Sequence, residues 1–387
     1  MSQRLDYLDN LRWFLVLNVV GYHATLAYMS LGSYQWPIPD DKNHVIFDGL
    51  ARLGDIFSMP ALFFIAGYFL VSSLSRSASI WSFIKKKILR LCIPFILGII
   101  FLTPINSYVE EISKAGYDQG YLSFLVNLYY PGRMTADHLW YLMFLFLLTV
   151  LFSIAVNLTM IKRGNVSDKN HFQGDSAVNT APSLRFLMLF FITTVMVYFI
   201  SSGLYIDNQW LKIGQEGIIR IQLSRTPLYF LYFGFGIYAS VKKWDFSAPI
   251  TKSGDLGLAI LTATVVIGMW IFSLFFYKTS LLIENSYVRF FNAVFHCATI
   301  LCMLWMLLSI FSKKYNYTNS FTKLMNENSY SIYLVHMPIV IVSQYAMSQL
   351  EISALLKYSV VVLLALTFSL AISHLFLRRI PGLKRVL

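Results

Sequence analysis

Charge is what this chain has least of. Of its 387 residues only 13% are charged while 57% are hydrophobic, against about 25% charged in a soluble globular domain. The deficit excludes an ordinary water-soluble domain and makes lipid the expected solvent. Acidic residues are the scarcer sign, 19 against 31 Lys and Arg, for a net charge of +12. That excess does not point to nucleic acid, because the basic residues sit in short clusters between apolar runs and form no patch or amphipathic face. In a membrane protein such clusters set topology. Cysteine is nearly absent, and Cys92, Cys297 and Cys302 all lie inside apolar runs, so no disulfide framework is expected. Cys297 and Cys302 beside His296 match no zinc spacing, and no metal is expected. Internal repeats, low-complexity segments and a soluble enzymatic domain are missing too, so residues 1–387 read as a single membrane-embedded domain. A cleavable signal is not expected either: the first apolar run follows Arg12, contains Asn18 and His23, and lacks a small-residue cleavage site.

What is present is a series of apolar runs, each long enough to span the bilayer core as a helix of about 17–25 residues. They fall near 11–30, 54–74, 88–105, 138–159, 184–203, 226–241, 255–277, 291–311, 329–348 and 353–377. The expected fold is therefore all-α, a polytopic bundle of about ten transmembrane helices. The sixth run, interrupted by Pro227, Gly234 and Gly236, is the weakest. Placing both termini in the cytoplasm puts 20 Lys and Arg in inner segments against 10 in or beside outer ones, and each inner loop obeys the positive-inside rule. Residues 164–183 form a polar inner linker. The outer segments 31–53 and 106–137 read as long loops rich in aromatics, among them Trp36, Tyr108, Tyr129 and Tyr130. Such rings suit the interfacial belt and also suit stacking on sugar rings.

Ionisable groups inside spanning helices cost several kcal/mol unless they are paired or face a cavity. The first helix carries Asp9, Arg12, Asn18, Tyr22 and His23. Arg12 and His23 return within about 20° of one face, about 16 Å apart along the axis, so both are expected to look into one track. Asp9 lies one turn before Arg12 and can pair with it. Arg12 can equally snorkel to headgroups, and His23 can be a core histidine bonded to a neighbouring helix. In the ninth helix Ser329, Tyr333 and His336 share a stripe, and Pro338 frees a carbonyl one turn back that a polar cavity can satisfy. Lys85, Lys86, Lys87 and Arg90 precede the third helix, where headgroup anchoring or a polyphosphate ligand explains so many cations. Asp137-His138-Leu139-Trp140-Tyr141 opens the fourth helix on the outer side, as an interfacial anchor or an acceptor contact.

These residues carry a resemblance. Tyr7-Leu8-Asp9-Asn10-Leu11-Arg12 followed by His23, Phe63-Phe64-Ile65-Ala66-Gly67-Tyr68, and Lys87-Ile88-Leu89-Arg90 with Pro94 form the first part. His138-Leu139-Trp140 and Tyr333-Leu334-Val335-His336 with Pro338 complete it. Together they resemble the membrane acyltransferase 3 family along nearly the whole chain, and most of all the subgroup of the glucans biosynthesis protein C, implicated in succinylating periplasmic glucans. Two positions depart from the family pattern. Ala66 stands where Ser is common, so no nucleophile exists there, and Lys87 replaces the first Arg of Arg-x-x-Arg, keeping charge without bidentate geometry.

The resemblance implies a multi-pass enzyme of the bacterial inner membrane. It would move a succinyl or acetyl group from cytoplasmic acyl-coenzyme A, with no bound cofactor, to a carbohydrate hydroxyl outside. Lys86, Lys87 and Arg90 would meet the donor's phosphates. Arg12, paired with Asp9, would hold the donor further in, and His23 would be the general base. His138, Trp140, Tyr333 and His336 would contact the acceptor or orient the oxyanion. The rival reading is a transporter or flippase with Arg12, His23 and His336 as a relay; the related halves common in transporters are not visible. A third reading is a non-catalytic partner in a polymer-synthesis complex. Apart from acyl-coenzyme A, a carbohydrate and the bilayer, no partner is implied, and oligomeric state cannot be read.

Overall fold

The computed structural model describes residues 5–31, 36–162, 181–205, 209–247, 254–276 and 281–384, the side chains at 160–162, 283, 381 and 384 excepted. The polar stretch 164–183 lies almost wholly outside the described residues.

The chain runs α1 (Asp6–Thr25), α2 (Val45–Ser75), α3 (Ile80–Lys87), α4 (Ile93–Phe101), α5 (Thr103–Ala115), α6 (Tyr121–Phe124), α7 (Trp140–Lys162) and α8 (Leu184–Leu204). A two-stranded antiparallel hairpin follows, β1 (Trp210–Ile213) and β2 (Ile219–Gln222), with Trp210 opposite Gln222. Then come α9 (Thr226–Val241), α10 (Gly254–Phe276), α11 (Leu281–Glu284), α12 (Ser286–Lys314), α13 (Ser320–Ser348), α14 (Ala354–Ala371) and α15 (Pro381–Lys384). A π-helical turn, Ile88–Cys92, joins α3 to α4, and a second, Leu125–Arg133, follows α6. Helix starts are set locally: Ser79, Ser183, Asn285 and Ser353 accept backbone N–H groups of the first turn, and Asn319 with Thr322 forms a capping box.

Among the described residues eight helical stretches are long and apolar enough to cross a membrane. They cover every predicted span except the first and sixth. In α1 the charges of Asp6, Asp9 and Arg12 dilute the hydropathy, and α9 is only 16 residues long. Both nevertheless sit inside the bundle: Leu8, Leu11, Leu15 and Val20 of α1 are fully buried, as are Leu228, Tyr232 and Phe233 of α9. The protein is an all-α polytopic helical bundle.

The sixth run falls short of a span by length, and its Gly236 serves packing. A Cβ at Gly67 of α2 would stand 2.0 Å from the Phe233 carbonyl oxygen, and one at Gly236 of α9 would stand 2.0 Å from that of Phe64. The two backbones touch, as small residues permit in membrane bundles. The Phe63–Tyr68 block therefore builds a helix contact.

Contacts sort the bundle's ends. Asn10 donates to the carbonyls of Tyr315 and Tyr317, Tyr7 packs on Phe246, Arg378 pairs with Glu327, and the Tyr330 hydroxyl donates to the Arg90 carbonyl. The start of α1, the α3–α4 junction, the α12–α13 turn and the end of α14 thus share one basic end. At the opposite end the segment 106–137, expected as a loop, is largely helical, through α5, α6 and the π turn. That end also carries the hairpin. Its strands of four residues are too short to show in sequence alternation.

Candidate active site

Pro338 lies inside α13, and its missing N–H leaves the carbonyl of Leu334 without its helical donor. His138 takes that carbonyl: its Nε2–H donates to Leu334 O at 3.0 Å. The carbonyl that proline frees is thus taken by one side chain, from the 3₁₀ turn Asp137–Leu139 just ahead of α7. In a neutral ring the second nitrogen is then an acceptor, and His138 Nδ1 is buried with no hydrogen-bond partner among the described residues.

The same logic fixes the other two histidines. His336 Nδ1 lies 2.7 Å from the Tyr333 carbonyl oxygen, which can only accept, so Nδ1 carries the proton and Nε2 the lone pair. His23 Nδ1 is 3.1 Å from that Nε2 and donates to it. The network therefore leaves the His23 lone pair on Nε2. The rings of His23 and His138 each lie 5.1 Å from that of His336. Among the described residues no three or more His, Cys, Asp or Glu side chains are grouped as metal ligands would be.

His138 is aimed by a strained corner. Asp137, at its N-terminal side, has φ 42°, in the left-handed region uncommon for residues other than glycine. Its carboxylate accepts from Asn106 at 3.0 Å and Thr135 at 3.1 Å, with Arg220 of the hairpin at 3.7 Å. The Tyr333 hydroxyl donates to the His138 carbonyl. That single proton is committed to the backbone, so Tyr333 acts as a clip on the corner.

His23, His138, Trp140 and Tyr333 line one cavity of about 1220 Å³. It opens among α1, α2, α5, α8, α10, α12, α13 and the hairpin. Tyr22, Trp36, Trp140, Trp210, Tyr229 and Trp270 contribute rings to it. Charges of both signs line it, several of them paired: Asp55 with Arg225 at 2.7 Å, Glu111 with Arg133, Glu216 with Lys212 at 3.4 Å. His336 stands behind this wall.

Other expected residues lie elsewhere. Asp9 and Arg12 pair at 2.9 Å as their spacing requires, but Arg12 is 36% exposed and does not line the cavity. Arg12 and His23, expected to look into one track, do not line one cavity; only His23 reaches the large one. Ser329 donates to the Asn326 carbonyl and lies off it too, so the Ser329–Tyr333–His336 stripe does not open on one space. Lys86, Lys87 and Arg90 line a second, smaller cavity of about 210 Å³ with Ser73, Arg76, Ser77 and Phe83. Arg76, at the end of α2, joins this cationic set only because the turn into α3 folds it back. Tyrosines stand between the two cavities. The Arg90 guanidinium lies 5.8 Å from the Tyr330 ring, and Tyr141, which feels the Arg12 charge, packs 5.6 Å from Tyr333.

The fold and this site define a multi-pass membrane protein with a buried histidine cluster at the floor of a polar, ring-lined cavity. Residues 5–375 match the acyltransferase 3 family, described as an acyltransferase domain, and the chain belongs to that family. It is a membrane acyltransferase. No curated protein and no solved structure matches the chain.

Proposed function

We propose that this acyltransferase moves a succinyl or acetyl group from cytoplasmic acyl-coenzyme A to a carbohydrate hydroxyl on the outer face of the bacterial inner membrane, with a periplasmic glucan as acceptor. The observation that carries this reading is the His23 lone pair on Nε2 at the wall of the large cavity. A base so placed takes the acceptor hydroxyl proton while that oxygen attacks the thioester carbonyl. The C–S bond then breaks, and the proton returns to the leaving thiolate, giving coenzyme A as the free thiol. His336, by accepting from Nδ1–H, stabilises the imidazolium formed on the way. The Trp140 ring receives the acceptor's apolar face, and His138, held through its Nε2–H, shapes the wall beside it.

The basic end supports the donor's side. Arg76, Lys86, Lys87 and Arg90 surround the small cavity, and four cations match a polyphosphate. Tyr330 beside Arg90 and Tyr141 beside Tyr333 stand between there and the large cavity, and Arg12, paired with Asp9, acts on Tyr141. With both termini cytoplasmic, the donor enters at the basic end and the sugar from the ring-lined outer end.

Purified protein assayed with succinyl- or acetyl-coenzyme A and a glucan tests this. Replacing His23 by Ala should lower turnover by about 10²–10⁴-fold, and Lys87→Ala or Arg90→Ala should raise the donor KM. Near-normal turnover in His23→Ala refutes the role of the base. A donor KM unmoved by either cation variant refutes the donor site.

A further inference from the structure

Gln344 is 1% exposed and does not line the cavity, yet it joins the features that hold His23. Its amide nitrogen donates to the carbonyls of His23 and Ala24, both at 3.2 Å. These belong to the last turn of α1, which runs on into a 3₁₀ turn at Leu26–Tyr28, and the His23 carbonyl also accepts the Leu26 N–H. Its amide oxygen accepts the indole N–H of Trp36 at 2.7 Å. The Trp36 ring in turn stacks on His23, with centroids 5.9 Å apart and planes 24° from parallel.

We propose that Trp36 and Gln344 are positioning residues for His23, fixing the plane and depth of its imidazole so that Nε2 meets the acceptor hydroxyl. The proposal rests on the reading of His23 as the base. One helix, α13, then holds the ring at three points: His336 at Nδ1, Gln344 at the backbone, and Trp36, through Gln344, on the ring face. The segment bearing Trp36 is itself anchored. The Asp40 carboxylate lies 2.8 and 2.9 Å from the Lys357 ammonium, both side chains buried, and Asp40 N–H donates to the Ala27 carbonyl. Proton transfer needs this rigidity, since a misplacement of about 1 Å can cost about 10²-fold in rate.

Gln344→Met keeps the length of the side chain and removes all three hydrogen bonds; Trp36→Phe keeps a ring and removes the N–H. Each should lower kcat about 10–100-fold with donor KM within about twofold. Gln344→Met should leave acceptor KM unchanged as well, because residue 344 is off the cavity. The two losses should not multiply: the double variant should fall within about twofold of the worse single one, as coupled residues do. Wild-type kcat in Gln344→Met overturns the proposal, as do multiplicative losses. So does a lower thermal midpoint with full turnover per folded molecule, the result of a merely structural role. His23→Ala in the same assay separates the two readings. Turnover retained there removes the base and with it the need for positioning; turnover lost there but normal in Gln344→Met removes the positioning alone.

Discussion

Replacing Pro338 by Ala restores one backbone N–H, and the structure says where it goes: to the Leu334 carbonyl that His138 now uses at 3.0 Å. Two opposite effects follow. A helix-interior proline costs about 3 kcal/mol relative to alanine, so the variant should be the more thermostable protein, by up to that amount. The His138 bond, worth about 0.5–1.5 kcal/mol net, now competes with a helical donor. Its loss frees the imidazole to turn, and the same energy lost from the transition state is about a 2- to 13-fold fall in kcat/KM. Thermal unfolding in detergent and steady-state kinetics measure the two sides separately. Pro338→Gly restores the same N–H with lower helix propensity, so it should lose activity alike while gaining less stability. Unchanged kcat/KM in a stabilised Pro338→Ala would show that the carbonyl serves both donors at once, and the idea that proline reserves it for His138 would be wrong.

Two further perturbations address the frame. Lys357→Met strands the buried Asp40 carboxylate and should destabilise by about 3–5 kcal/mol, with most of the loss recovered on adding Asp40→Leu; a single-variant cost below about 1 kcal/mol in denaturant unfolding argues against a dry pair. Gly67→Ala forces a methyl against the Phe233 carbonyl at 2.0 Å and should cost about 1–3 kcal/mol or more as the helices part. Gly49→Ala is the contrast, because the atoms nearest its Cβ belong to the Trp270 side chain, at 2.6 Å and beyond; equal losses in the two variants would refute backbone contact as the cause.

Much of the architecture is legible one residue at a time. Apolar length locates the spans, because a helix must cover the hydrocarbon thickness wherever its neighbours lie. Helical spacing gives the Asp9–Arg12 pair, and the chemistry of proline announces a carbonyl in need of a donor near residue 334. Periodicity also singles out His23, Tyr333 and His336, and the family resemblance adds His138, before any contact is known. It fails where a property belongs to two segments at once. The Lys86–Arg90 cluster and Arg12 look like one route in a linear reading, yet the first encloses its own small cavity and the second lines neither.

Sequence alone determined that this is a membrane bundle with histidines where lipid forbids unpaired polar groups, because hydropathy and backbone satisfaction are local demands. Tertiary structure decided which carbonyl meets His138, which nitrogen of His23 keeps its lone pair, and that Trp36 and Gln344 brace the ring. Those facts hinge on hydrogen bonds between residues 196 to 321 positions apart. Only the packing of α1, α13, the turn ahead of α7 and the segment at Trp36 against one another brings such partners within three ångströms or so.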